Sequence, residues 1–124
     1  MPDMRGLNIV VAARDGARFY AALEIAMAAA ALGKTVRLFL QGEAVALLRA
    51  PIAHDGDAAR RAAGQPDLAG LVAEAAAMEI VPIVCQSGMA LAGLTAGELP
   101  PHVRAGGLLS FLAEAGLEDQ LTVY

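Results

Sequence analysis

Short apolar runs alternate with helical segments along this chain, and that alternation constrains its fold more than any other feature. Leu7–Ala12, Val36–Leu40 and Ile80–Cys85 are rich in β-branched and other apolar residues, which is typical of buried strands. Leu121–Tyr124 predicts a last strand. Because helical stretches separate these runs, we expect an α/β fold in three layers: a mostly parallel sheet of roughly four to five strands with helices on both faces.

The stretches between the strands carry the signals of helices. In Ala17–Leu32, apolar residues recur at three- and four-residue steps, Asp15 precedes the segment as a cap, and Gly33 follows it as a helix end. Further helices are predicted over residues 43–49, 67–78, 87–92 and 103–115, with Ser87 as the cap of the third of these.

Two segments are predicted to be irregular. Pro51–Pro66 holds charged residues and glycines but little apolar periodicity, so we expect a mobile loop with a brief helical turn between Asp57 and Ala63. Gly93–Pro101 is predicted to be a second loop. Pro82 removes one hydrogen-bond donor from the third strand, which predicts a position at the sheet edge or a bulge.

Length, composition and charge exclude several classes of protein. The 124 residues are expected to form one domain, 1–124, with a net charge of −4. The longest uncharged stretch, Ile80–Gly97, contains a proline and three glycines, so we expect no membrane span. The absence of a basic cluster beyond Arg60–Arg61 and a 4% share of aromatic residues argue against a nucleic-acid surface. Met1–Val11 lacks the pattern of a secretory signal, and one cysteine cannot form an internal disulfide, so a cytoplasmic location is expected.

Candidate chemistry lies where strands end, because ligand sites of open α/β sheets form beyond the carboxyl ends of the strands. Ala13–Gly16 and Gln41–Gly42 follow the first two strands, and Cys85 closes the third. Residues Ser87, Gly88 and Met89 open the next helix, where free backbone N–H groups and the helix dipole favour a thiolate. The alternative is that Cys85 is a small buried apolar side chain, as most lone cysteines are, and position alone leaves both interpretations open.

Five other residues are candidates for the surroundings of Cys85: Asp15, His54, Arg60, Arg61 and His102. Either histidine could assist the cysteine if its loop folds over the site, although solvated loop histidines are more common. The two arginines could bind an anion, although a solvated loop face is favoured, and Asp15 is most simply a helix cap. We expect no metal, since a third ligand at a recognisable spacing is missing, and no cofactor, since no GxGxxG motif is present.

Two tracts of the sequence resemble the DsrE/DsrF-like family. The first is Gly33–Leu40, which is similar to the second strand of that family. The second is Asp67–Leu94, where a helix leads into a strand that ends in cysteine, followed by Ser-Gly-Met and Gly-Leu. The order of elements also matches over nearly the whole chain. The resemblance implies a compact α/β fold, homotrimers or hexamers, other sulfur-relay proteins as partners, and a cysteine that passes sulfur as a persulfide, a role that only Cys85 can inherit.

These observations predict a cytoplasmic sulfur carrier or sulfurtransferase-like subunit in which Cys85 accepts a sulfane sulfur and hands it to another thiol. The loop Pro51–Pro66 is expected to lie over Cys85 and to gate access to it. The alternative function is a non-catalytic oligomeric scaffold or a small-ligand-binding subunit with a structural cysteine.

Overall fold

A computed structural model describes residues 5–124, so the Met1–Met4 part of the N-terminal prediction lies outside the described residues. The strands are β1 (Leu7–Val11), β2 (Val36–Leu40), β3 (Ile83–Cys85), β4 (Arg104–Gly106) and β5 (Gln120–Val123). They form one sheet in the order β4-β3-β2-β1-β5, and every neighbouring pair is parallel. The predicted α/β fold is therefore confirmed, with five strands.

Over residues 5–124, five α-helices connect or follow these strands: α1 (Gly16–Ala31), α2 (Asp57–Ala62), α3 (Leu68–Ala77), α4 (Gln86–Ala92) and α5 (Leu108–Ala113). Two 3₁₀ segments, Gly42–Leu48 and Ala96–Glu98, complete the order of elements. Within the part of the chain that the structure describes, no helix is both long and apolar enough to cross a membrane.

The order of the strands determines which face each helix covers. The chain steps from β1 to β2, β3 and β4 in one direction and then returns across the sheet to β5. Right-handed crossovers therefore place α1 and α3 on one face and α5 on the other. On the α5 face, the rings of Phe39 and Phe111 lie 5.0 Å apart, and the guanidinium of Arg37 lies 4.2 Å from the Phe111 ring. All five residues of β1 are buried, which makes this strand the centre of the core.

The side chain of Asp119 joins the loop before β5 to the start of β1. Its oxygens accept from the backbone N–H groups of Gly6 (2.8 Å) and Gly116 (2.7 Å) and from the amide of Asn8 (3.4 Å). These donors lower the pKa of the Asp119 carboxyl from its ordinary value. The contact holds β5 in register beside β1, with Leu7 opposite Gln120.

Three local predictions are wrong, each for a physical reason. The segment 103–115 is not one helix, because Arg104–Gly106 pairs with β3 as a strand and α5 begins only at Leu108. β3 lies inside the sheet rather than at its edge, and Pro82 is tolerated because the strand begins after it. The cap of α4 is Cys85 and not Ser87, which lies in the first turn of that helix.

Candidate functional site

Cys85 is the last residue of β3 and the cap of α4, so it stands at the carboxyl end of the sheet. It is a free cysteine with 7% of its surface exposed. Its Sγ atom lies 3.1 Å from the Oγ atom of Ser87, which is hydrogen-bonding distance for these two atoms. The thiol is thus shielded from bulk water by its own surroundings.

The groups around the sulfur favour the thiolate. Burial by itself raises the pKa of the Cys85 thiol, because it penalises the charged form. The hydroxyl of Ser87 and the backbone N–H groups of Gly88, Gly42 and Ser87 act in the opposite direction and outweigh burial, so the pKa lies below its ordinary value. These leading groups are all uncharged, so hydrogen-bond donors supply the main stabilisation of the thiolate.

One of these donors, Gly42, comes from a different part of the chain. It begins the 3₁₀ segment that follows β2, and this segment packs along α4. Gly42 has a φ of 57°, in the left-handed region that glycine adopts readily. At the other end of the segment, Arg49 donates to the carbonyl of Ala92 at the end of α4 (2.8 Å) and pairs with Glu98 at 3.1 Å. The segment is therefore held against α4 at both ends.

Sequence reasoning missed the contribution of Gly42. The sequence does place Gln41–Gly42 at the carboxyl end of β2, next to β3 in the sheet. Its position at a strand end therefore made Gly42 a neighbour of the site. Every residue except proline has a backbone N–H group, however, so the residue type does not show which one acts on the sulfur. Met89, which was predicted to shape the site, is half-buried against the core, and its carbonyl accepts from the N–H of Leu94 at 2.9 Å.

The segment Pro51–Pro66 packs on α1 and α3. The ring of His54 lies against Gly16, and the hydroxyl of Tyr20 donates to the carbonyl of Pro66 at 2.9 Å. These contacts lie beside β1, whereas Cys85 is the last residue of β3. In the sheet, β2 lies between those two strands. Within the described residues, the groups named above that lower the pKa of Cys85 belong to Gly42, Ser87 and Gly88, which lie outside Pro51–Pro66. These contacts give no support to a gate over the cysteine, and the predicted mobility of the segment stays a prediction.

A buried carboxylate organises this segment. Asp57 is 6% exposed, and its oxygens accept from the backbone N–H groups of His54 and Leu68, each at 3.0 Å. The Nδ1 atom of His54 accepts from the N–H of Gly56 (3.2 Å), and its Nε2 atom faces Asp57 at 3.4 Å. His54 is thus engaged locally rather than directed at Cys85. It also lines an open cleft of 690 Å³ beside Arg14 and the start of α1.

The remaining candidates make local contacts of their own. Asp15 caps α1 by accepting from the N–H groups of Ala17 and Arg18. Arg60 lies over the ring of Tyr20, 3.7 Å from its centre, and Arg61 pairs with Asp67 at 2.9 Å.

His102 precedes β4 and lines a groove at the amino end of the sheet, so it and Cys85 lie at opposite ends of the parallel strands. In residues 5–124, no group of three His, Cys, Asp or Glu side chains is arranged to hold a metal ion. Ser87 and Gly88 are therefore the candidates whose groups act on the sulfur, whereas Met89 packs against the core and the five others stand elsewhere.

The fold and this site define an α/β domain that holds one cysteine thiol among hydrogen-bond donors at the carboxyl end of a parallel sheet. The sequence model of the DsrE/DsrF-like family matches residues 7–120, and the chain belongs to that family. Among solved structures, the ychN protein from E. coli matches with a TM-score of 0.70 and 19% identity, over 98% of this chain and 100% of that one. At this identity the likeness concerns the fold. A search of curated proteins found no match.

Proposed function

We propose that this protein carries sulfane sulfur as a persulfide on Cys85, receiving the sulfur from one thiol and passing it to another. The proposal rests on the surroundings of the Cys85 sulfur. The sulfur is shielded from water, and the hydrogen-bond donors around it favour its charged form. Membership of the DsrE/DsrF-like family supports a function of the sulfur-relay type. Other sulfur-relay proteins are the proposed donor and acceptor, in the cytoplasm.

The transfer needs no oxidant or reductant. The Cys85 thiolate attacks the terminal sulfur of a donor persulfide, a new S–S bond forms at Cys85, and the S–S bond of the donor breaks. The donor leaves as a thiolate, and the hydrogen stays on the transferred sulfur. An acceptor thiolate then attacks that same terminal sulfur, and Cys85 leaves as a thiolate, ready for the next cycle.

A lowered thiol pKa serves both halves of this cycle. The thiolate is the attacking species, so a lower pKa raises its population at neutral pH. A thiol of lower pKa is also a better leaving group, which speeds the release of sulfur to the acceptor. In this proposal the Ser87 hydroxyl and the backbone N–H groups of Ser87 and Gly88 stabilise the thiolate, and Met89 packs the first turn of α4 against the core.

Mass spectrometry of the intact protein tests the proposal. After incubation with glutathione persulfide, the native protein should gain the mass of one sulfur atom, and a thiol reductant should remove it. Cys85→Ser is the matched control, because it changes one atom of the side chain and should gain no sulfur.

Alkylation of the native protein separates the proposal from the scaffold alternative. A carrier thiol should react with iodoacetamide below the pH at which an ordinary cysteine, with a pKa of about 8.5, becomes unreactive. A thiol that reacts only after denaturation, together with no gain of sulfur, would identify Cys85 as structural.

A further inference from the structure

The approach of the 42–48 segment to α4 depends on the absence of a side chain at residue 88. Gly88 is buried in the first turn of α4, facing the backbone of Gly42. A Cβ atom placed on Gly88 would clash with the carbonyl oxygen of Gly42 and would stand 3.1 Å from its carbonyl carbon and its Cα. The obstacle is backbone, which cannot rotate away as the end of a flexible side chain can.

We infer that Gly88 is a positioning residue, whose bare Cα lets the 42–48 segment come close enough for the N–H group of Gly42 to reach the sulfur of Cys85. This inference rests on the proposed function, because the N–H group that Gly88 positions acts on the same sulfur that would carry the persulfide. It assigns a role to two residues that contribute no side chain.

The geometry links the two contacts of Gly42 within one residue. Its carbonyl oxygen is the atom that a Cβ on Gly88 would strike, and its N–H group is among the donors that lower the pKa of the Cys85 thiol. The far end of the segment is tied to α4, since Arg49 donates to the carbonyl of Ala92 at 2.8 Å. An added methyl group at residue 88 would therefore push the near end away from α4, and the N–H group would move with it.

The other donors to the sulfur come from α4 itself. The hydroxyl of Ser87 and the N–H groups of Ser87 and Gly88 belong to the turn that Cys85 begins, so they would keep their places. Gly42 is the donor contributed by a separate segment. Losing it should weaken the stabilisation of the thiolate without abolishing it.

The first test is the pH dependence of alkylation in Gly88→Ala. Loss of one donor to a charged acceptor should raise the midpoint of the iodoacetamide rate profile by about one pH unit. The matched control is Gly97→Ala, because a Cβ at Gly97 meets open space, and its midpoint should equal that of the unaltered protein. A folded Gly88→Ala protein with an unchanged midpoint would overturn the inference, because a purely structural role for Gly88 predicts that outcome.

A second measurement needs no change at residue 88, so it stands even if Gly88→Ala does not fold. In ¹⁵N-labelled protein, the amide proton resonance of Gly42 should shift with pH at the same midpoint as the alkylation rate. Cys85→Ser should remove that transition. A Gly42 resonance that stays flat while the thiol titrates would refute the inference. Neither test uses a sulfur donor, so a failure here is distinguishable from a failure of the persulfide experiment.

Discussion

Replacing Asp57 by alanine removes the acceptor that joins the 51–66 segment to the start of α3. Two backbone N–H groups, those of His54 and Leu68, lose their partner at once. A buried N–H group left without an acceptor costs about 1–3 kcal/mol, so the two losses together predict a decrease of about 3 kcal/mol in the free energy of unfolding. For a domain of this length, that decrease corresponds to a drop of about 10 °C in Tm.

The loss of stability in Asp57→Ala should also depend on pH. Burial by itself raises the pKa of the Asp57 carboxyl, but the opposing groups, led by the N–H groups of Leu68 and His54, outweigh it, so the pKa lies below its ordinary value. The folded state therefore favours the carboxylate. The carboxylate therefore adds its full share to the free energy of unfolding above about pH 4, the ordinary pKa of aspartate. That share is lost as the pH falls through the lower pKa that Asp57 has in the folded state.

Urea unfolding followed by circular dichroism at several pH values measures both effects. The matched control is Asp55→Ala, which removes the same charge from an exposed position two residues away and should change stability by less than about 0.5 kcal/mol. If Asp57→Ala costs no more than this control at pH 7, the carboxylate does not organise the segment. A cost that stays constant as the pH falls through and below 4 would refute the assigned pKa direction.

Three further predictions follow from the contacts described above. Ser87→Ala should raise the midpoint of Cys85 alkylation by at least about one pH unit without lowering Tm, because it removes the hydroxyl 3.1 Å from the sulfur, which lowers the pKa of the thiol more than the Gly42 N–H group does; an unmoved midpoint would contradict that contact. The alkylation midpoint should be insensitive to salt, because the stabilising groups are uncharged, and a midpoint that rises with ionic strength would instead indicate a nearby cation. We also expect a homo-oligomer with a trimer as its unit, and a monomer mass by light scattering at micromolar concentration would contradict it. The expectation is supported by exposed large apolar side chains, namely Leu32, Leu91, Leu109 and Leu117.

The elements with strong apolar patterns were predictable from the sequence. Leu7–Val11 and Val36–Leu40 are continuous apolar runs, or nearly so, with turn residues on both sides. Asp15 caps the helix that it was expected to cap, and Asp67 is the first residue of the predicted 67–78 segment and caps α3. β4 was missed because Arg-Ala-Gly contains no apolar run, and its pairing with β3 is a tertiary effect. Residues 103–115 were instead predicted to form one helix.

The candidate site was predictable to a smaller extent. The place of Cys85 at the end of β3 follows from the pattern of its strand, and Ser87 and Gly88 follow directly in the chain. The part played by Gly42 could not be derived, because it depends on how a segment after β2 packs against α4. His54 was a candidate because its loop was expected to fold over Cys85, but a buried aspartate three residues later holds it elsewhere.

The place of β5 beside β1 bears on how the chain folds during synthesis. The two strands are joined by contacts such as that between Gly6 and Asp119, which are 113 residues apart in sequence. On the ribosome, β1 can pair with β2 soon after both emerge, but its other edge has no partner until Gln120–Val123 has been made. An unpaired apolar strand edge is a template for pairing with another chain. Until β5 is made, then, the buried strand β1 offers one open edge to a neighbouring nascent chain or to a chaperone.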